Sequence, residues 1–138
     1  MIEVDNMTRL NKILTLAILL FILTAVLIGC ADKPYPTEVS VKTAREYQQA
    51  GAFMLDVRQP EEWDEAHIPD STLIPLNELT TRLNEIPADR EIVVVCRSGN
   101  RSAQARDILR NAGYKKVTSM SGGIRQWIAA GYPTINGK

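Results

Sequence analysis

Residues 92–102 read Ile92-Val93-Val94-Val95-Cys96-Arg97-Ser98-Gly99-Asn100-Arg101-Ser102. Ile and Val favour strands. An unbroken apolar run of this length is expected of a central strand in a parallel sheet, buried on both faces. Gly99 permits a left-handed or otherwise tight backbone. Ser98 and Asn100 carry side chains suited to capping a helix, which is expected to begin around Arg101 or Ser102. Beyond them, Ala105, Ile108, Leu109 and Ala112 follow the i, i+3, i+4, i+7 pattern of a helix with one buried face. Strand, tight loop and helix in succession form a βα unit. In open parallel sheets ligands bind outside the carboxyl ends of the strands, and Cys96 stands at such an end.

Working outward, the apolar pattern keeps switching between strand and helix. Thr43 to Ala50 reads as a helix with Ala44, Tyr47 and Gly51 on one side, and Phe53 to Val57 as a short strand. Pro60 to Glu65 is acidic and starts a helical turn with Pro60 at its first position. Thr72-Leu73-Ile74 is a further strand. Leu76, Leu79, Leu83 and Ile86 fall on one helical face. Val117 to Met120 reads as a strand, and Ile124, Trp127 and Ile128 as a last helical stripe. Ala50-Gly51, Ala112-Gly113 and Ala130-Gly131 end three helices alike: glycine takes the left-handed position, and a nearby Phe53, Tyr114 or Tyr132 folds back on the last turn. Such alternation defines an α/β domain, with a central, mostly parallel sheet flanked by helices.

The chain has 138 residues, enough for one domain, and its 16 basic and 16 acidic residues cancel. Zero net charge offers no bulk field for nucleic acid, and the few aromatics do not alternate with basic residues. Ile13 to Gly29 carries no charge and ends in Leu27-Ile28-Gly29-Cys30. An apolar run behind a basic flank reads as a secretory signal. Small residues just before a cysteine resemble a bacterial lipobox, which implies cleavage after Gly29 and a lipid on Cys30. An uncleaved anchor is the alternative, although 17 residues lie at the lower limit for spanning a bilayer. Glu3 and Asp5 offset Arg9 and Lys12, whereas a start at Met7 would leave a purely basic flank. The expected organisation is a lipoprotein signal over 1–29, a lipidated cysteine and Pro-containing tether over 30–37, and the α/β domain over 38–138. That domain would lie in the bacterial cell envelope, outside the cytoplasm, held to a membrane through Cys30.

Cleavage after Gly29 would leave Cys96 as the one free thiol, in a compartment that oxidises thiols. Such a cysteine is either buried and inert, since free cysteine packs as a small hydrophobe, or reactive. Its loop favours the second. Successive N–H groups in a tight turn converge on a concave anion site, backed by a helix N-terminus. Lowering a thiol pKa by one unit takes about 1.36 kcal/mol. A helix dipole supplies about 0.3–1 kcal/mol at an exposed site, and each hydrogen bond to a charged group about 1.5–3. The converging N–H groups therefore do most of the work. Arg97 and Arg101 add positive charge and suit an anionic substrate, or else simply face solvent.

Several short stretches, in order, give the chain a family resemblance: Asp56-Val57-Arg58, Glu61-Glu62-Trp63, His67-Ile68-Pro69, Cys96 to Ser102, and Ser121-Gly122-Gly123 with Trp127 and Gly131. Over about residues 38 to 134 the chain resembles a single-domain rhodanese, a sulfurtransferase. Ala66 and Asp70 depart from that pattern, standing where the family commonly has glycine. The resemblance implies that Cys96 takes a sulfane sulfur from a donor such as thiosulfate, holds it as a persulfide, and passes it to cyanide or a thiol. Arg97, Ser98, Gly99, Asn100, Arg101 and Ser102 would bind the small anionic substrate. Covalent catalysis of this kind implies no metal and no organic cofactor, and a monomer is expected. His67, the only histidine, has general-base chemistry available, but the resemblance places it in a structural turn. Asp56 and Arg58 look like a charge pair fixing a strand end, Gly122-Gly123 like a tight turn beside the active loop, and Trp127 like core or pocket wall. A non-catalytic binding module and a cysteine phosphatase or arsenate reductase are the competing readings.

Overall fold

The computed structural model describes residue 7 and residues 9–20 and 34–137. The chain forms two compact units, divided between Pro34 and Tyr35. In the first, residues 9–20 are helical and exposed, and the Thr15 hydroxyl donates to the Asn11 and Lys12 carbonyls. Among the described residues no helix is long and apolar enough to cross a membrane. Residues 21–33, which include Cys30, lie outside the described residues.

The second unit is built on five parallel strands: β1 (Glu38–Val39), β2 (Phe53–Asp56), β3 (Thr72–Leu73), β4 (Ile92–Val95) and β5 (Val117–Met120), in the order β1-β5-β4-β2-β3. The four residues of β4 are fully buried, as expected of a strand covered on both faces. Ile92 and Val94 enter a cluster with Leu55, Val57, Ala105 and Leu109. Val93 and Val95 enter the opposite one, with Ala44, Met54, Ile124 and Trp127. The alternation follows from the period of two along a strand. Four α-helices flank the sheet: α1 (Val41–Gln49), α2 (Pro60–Glu65), α3 (Asn100–Asn111) and α4 (Gly123–Ala129). All three glycines of the Ala-Gly helix ends are left-handed as expected, but Phe53 does not fold back on α1; it joins the cluster on the other face of the sheet. After α4, Gly131 has φ 73°, and the Tyr132 N–H reaches the Trp127 carbonyl at 3.2 Å. The Tyr132 ring packs edge-on against Trp127 at 5.1 Å.

The expected helical face of Leu76, Leu79, Leu83 and Ile86 is wound differently. Two 3-10 turns, Leu79–Thr81 and Leu83–Glu85, replace one α-helix. Spacings of three, as from Leu76 to Leu79 and from Leu83 to Ile86, serve a 3-10 turn equally well, and Asn77, Thr80, Thr81 and Asn84 are weak α-helix formers. The apolar side is nonetheless the inner one, with Leu79 and Ile86 buried. The Tyr114 hydroxyl takes the Leu83 carbonyl at 2.6 Å. The last helical stripe also needs correction, because Ile128 is 50% exposed while Ile124 and Trp127 are buried.

Candidate active site

Cys96 follows β4 directly, in the middle of the sheet. The helix after it begins at Asn100, earlier than expected, and Gly99 is its N-cap residue, left-handed with φ 112° and ψ −24°. Ser98 and Asn100 therefore do not cap α3. Gly99 supplies the turn, and a Cβ there would sit 3.5 Å from the Gly122 nitrogen. The loop folds over its own cysteine, leaving Cys96 only 1% exposed.

The Gly99 N–H donates to Cys96 Sγ at 3.0 Å. The thiol faces Ser102 Oγ at 3.5 Å, and that hydroxyl donates to the Gly99 carbonyl at 2.8 Å. A hydroxyl hydrogen rotates to suit its partner, so Ser102 can turn it toward sulfur when the thiol loses its proton. Burial alone would push the Cys96 thiol up. Hydrogen bonds from the Ser102 side chain, then from the N–H groups of Ser102, Gly99 and Ser98, outweigh burial and hold it below its ordinary value. Of the cradle expected from the sequence, the Gly99 N–H meets Sγ directly, and the Ser102 hydroxyl, not the N–H groups, is the largest favourable influence.

The loop is pinned from below. The Ile124 N–H donates to the Cys96 carbonyl at 2.8 Å, and the Arg125 N–H to the Arg97 carbonyl at 3.4 Å. These contacts require Gly123 (φ 59°), where a Cβ would collide with the Cys96 carbonyl oxygen and lie 2.5 Å from the Arg97 carbonyl carbon. Gly122-Gly123 is thus a close-approach turn beside the Cys96 loop.

The other candidate residues divide into two groups. Arg97, Ser98 and Asn100 lie on the exposed side of the loop. Arg101 donates from Nη1 to Glu62 Oε2 at 2.7 Å and from Nη2 to Oε1 at 2.8 Å. That bond, together with the Gln59 N–H, holds the Glu62 carboxyl at about 2 against the opposing effect of burial. Glu62 belongs to α2, which a buried pair straps to the strand end. Arg58 Nη2 meets Asp56 Oδ2 at 2.7 Å, and the same guanidinium donates to the carbonyls of Glu62 and Ala66 at 2.9 and 2.8 Å. Asp56 and Arg58 therefore fix the strand end as expected, and in doing so they fix Glu62 too. The sequence showed Glu62 only as part of a family stretch. No local pattern told that its partner would be Arg101.

His67 is structural. Its ring stacks on Trp63 at 3.7 Å, Nδ1 lies 3.0 Å from the Trp63 carbonyl, and its backbone pairs with Ile135. Trp127 is fully buried and donates to the Pro133 carbonyl at 2.9 Å. The turn beyond His67 is left-handed at Asp70, φ 62°, a conformation Asp tolerates better than most residues. Among the described residues no group of His, Cys, Asp and Glu could hold a metal ion.

Residues 40–130 match the rhodanese-like domain family, and the chain belongs to it. It is 40% identical over 83 residues to a sulfurtransferase of Allochromatium vinosum, covering 60% of this chain and 78% of that protein. It is 34% identical over 84 residues to the thiosulfate sulfurtransferase GlpE of Pseudomonas syringae, covering 61% and 79%. It matches the putative sulfur carrier protein YrkF of Bacillus subtilis at 43% identity, over 54% of this chain but only 40% of that protein. The crystal structure of a rhodanese-related protein from Thermoplasma volcanium superposes with a TM-score of 0.68 at 33% identity, covering 72% of this chain and 97% of that one.

Proposed function

We propose that the protein is a sulfurtransferase of the thiosulfate type, with Cys96 as its nucleophile and a persulfide as its intermediate. One observation carries this reading: a buried thiol, held below its ordinary pKa, accepts the Gly99 N–H at 3.0 Å at the carboxyl end of the central strand. The Cys96 thiolate attacks the sulfane sulfur of thiosulfate, forming an S–S bond. The S–S bond of thiosulfate breaks, and sulfite leaves with the electron pair. A negative charge now resides on the outer sulfur of the persulfide. Cyanide or a thiolate then attacks that sulfur, and Cys96 Sγ departs as thiolate. Charge balances in both halves, and no proton has to move at the reacting atoms. N–H groups that stabilise a thiolate also stabilise an anionic persulfide, which is electrostatic catalysis by preorganised dipoles.

Intact-mass analysis of the chain after thiosulfate tests the reading. The expected result is a gain of one sulfur atom that cyanide removes, absent in Cys96→Ser. Sulfur transfer at the wild-type rate by that variant would overturn it.

Attachment to the cell envelope is the second part of the proposal. It rests on Leu27-Ile28-Gly29-Cys30 behind the uncharged run from Ile13. Metabolic labelling with a fatty acid is expected to mark the wild-type chain and not Cys30→Ala. An unlabelled wild-type chain would refute lipidation.

A further inference from the structure

Beside the Cys96 loop lies an open cavity of about 330 Å³. Two of its lining side chains, Arg97 and Arg125, are exposed cations, and among the described residues neither guanidinium has a hydrogen-bond or ion-pair partner. The other charges on the lining are largely satisfied. Arg58 is bound to Asp56, and Glu62 to Arg101. Glu65 is the one carboxylate left over, against two free guanidinium groups. Ile124 and Ile128 complete the wall, and Ile128 is half exposed although it belongs to a short helix whose other large apolar residues are buried. The two arginines are joined at the backbone. The Arg125 N–H donates to the Arg97 carbonyl at 3.4 Å, next to the Ile124–Cys96 bond at 2.8 Å. The cavity is therefore built on the same backbone that holds the nucleophile.

We propose that this cavity is an acceptor subsite, and that Arg125 with Arg97 selects small aliphatic thiols bearing a carboxylate. The inference rests on the sulfurtransferase reading and adds a substrate class to it. The chemistry that fits is a negative group for the arginines, a few methylenes for Ile124 and Ile128, and a thiolate able to reach the persulfide on Cys96. A carboxylate offers an arginine a two-point match. The acceptor thiolate attacks the outer sulfur of the persulfide, Cys96 Sγ leaves as thiolate, and the acceptor departs as its own persulfide. Arg125 is thereby a specificity-determining residue, one that no motif in the sequence singles out. Arg101, held by Glu62, is not part of the selection.

The test uses the full chain in mild detergent, with thiosulfate as donor and three acceptors: cyanide, 2-mercaptoethanol and 3-mercaptopropionate. In the wild type, kcat/KM per thiolate for 3-mercaptopropionate is expected to exceed that for 2-mercaptoethanol by about tenfold or more. Arg125→Gln is expected to collapse that ratio toward one, and Arg125→Lys to restore part of it. The ratio cancels any effect of the variant on the loading step. Equal use of the two thiols by the wild type, or an unchanged ratio in Arg125→Gln, overturns the subsite while transfer to cyanide keeps the sulfurtransferase reading intact. Loss of the sulfurtransferase reading is recognised separately, by an absence of transfer to cyanide. In that event, NMR titration of Cys96→Ser with 3-mercaptopropionate decides the subsite: shifts at Arg97, Arg125 and Ile128 support binding there, and their absence ends it.

Discussion

Arg101 and Glu62, 39 residues apart in the chain, meet in a two-point ion pair at 2.7 and 2.8 Å. The pair joins the helix that follows Cys96 to the helix that follows the second strand. It also gives the domain an acid-sensitive contact. The Arg101 bond holds the Glu62 carboxyl at about 2 in the folded chain, against 4.5 without the fold. A carboxyl depressed by folding adds stability that is complete above the unfolded value and is lost as pH falls toward the folded one. The window here runs from about 4.5 down to about 2. Because both side chains remain partly exposed to solvent, the contribution is expected to be about 1 kcal/mol. Urea unfolding at pH 6 and pH 3 checks this. Glu62→Gln should lose stability at pH 6 and show a shallower fall to pH 3; an equal fall in both proteins would locate the acid sensitivity elsewhere.

Ser102→Ala removes the hydroxyl that faces Cys96 Sγ and caps the Gly99 carbonyl. That hydroxyl is the largest favourable influence on the thiolate, so the thiol should titrate at higher pH. A hydrogen bond to a charged group at the weak end of its range, about 1.5 kcal/mol, corresponds to about tenfold in thiolate population. Alkylation by iodoacetamide as a function of pH reads this directly. The profile should move to the alkaline side, with rates on its acidic limb about tenfold lower. A superimposable profile would mean that the N–H groups alone hold the thiolate.

Gly123→Ala should unfold or severely weaken the domain. The added methyl would strike the Cys96 and Arg97 carbonyl groups, on a backbone at φ 59°. Gly51→Ala is the control: its φ is 90°, but nothing lies within 4 Å of the added Cβ. It should cost only the left-handed strain, about 1–2 kcal/mol, with Gly123→Ala losing at least about 2 kcal/mol more through overpacking against backbone. Thermal melts of the two variants separate the predictions, and equal melting temperatures would refute the close approach.

The strand at Ile92–Val95 was legible because four consecutive β-branched residues admit few other states, and the loop that follows because cysteine, glycine and arginine stand at fixed spacings. The winding of residues 76–86 was not, since a stripe with three- and four-residue spacings fits both kinds of helix and tertiary partners such as Tyr114 decide. The roles of Ser98 and Asn100 were misread for a related reason. Side chains that can cap a helix and a glycine free to turn left-handed are both visible in sequence, but neither says at which residue the helix starts. Glu62 and Arg125 reach the site only through long-range packing, which local pattern does not encode.

Loop length decides what the cradle can enclose. Four residues, Arg97 to Asn100, separate Cys96 from Arg101, and cysteine phosphatases with a similar loop have five. The short loop brings the Gly99 N–H to 3.0 Å from sulfur and leaves Cys96 almost fully enclosed. From its length we expect such a ring to fit one sulfur atom at that place and not a tetrahedral phosphate. The chain is therefore expected to hydrolyse p-nitrophenyl phosphate negligibly while transferring sulfur from thiosulfate to cyanide. A glycine inserted after Gly99 should pull the Gly99 N–H and the Ser102 hydroxyl out of register with Sγ. Losing one such donor to a developing anion costs roughly 2.7–4 kcal/mol in enzymes, so sulfur transfer should fall by at least about a hundredfold. Circular dichroism and thermal melting establish that the inserted variant is folded before its rate is read. A folded variant with an undiminished rate would show that the N–H cradle is not what stabilises the persulfide. Phosphate-ester hydrolysis by the unmodified chain, lost in Cys96→Ser, would show that the ring opens wide enough for phosphate and would reverse the size argument.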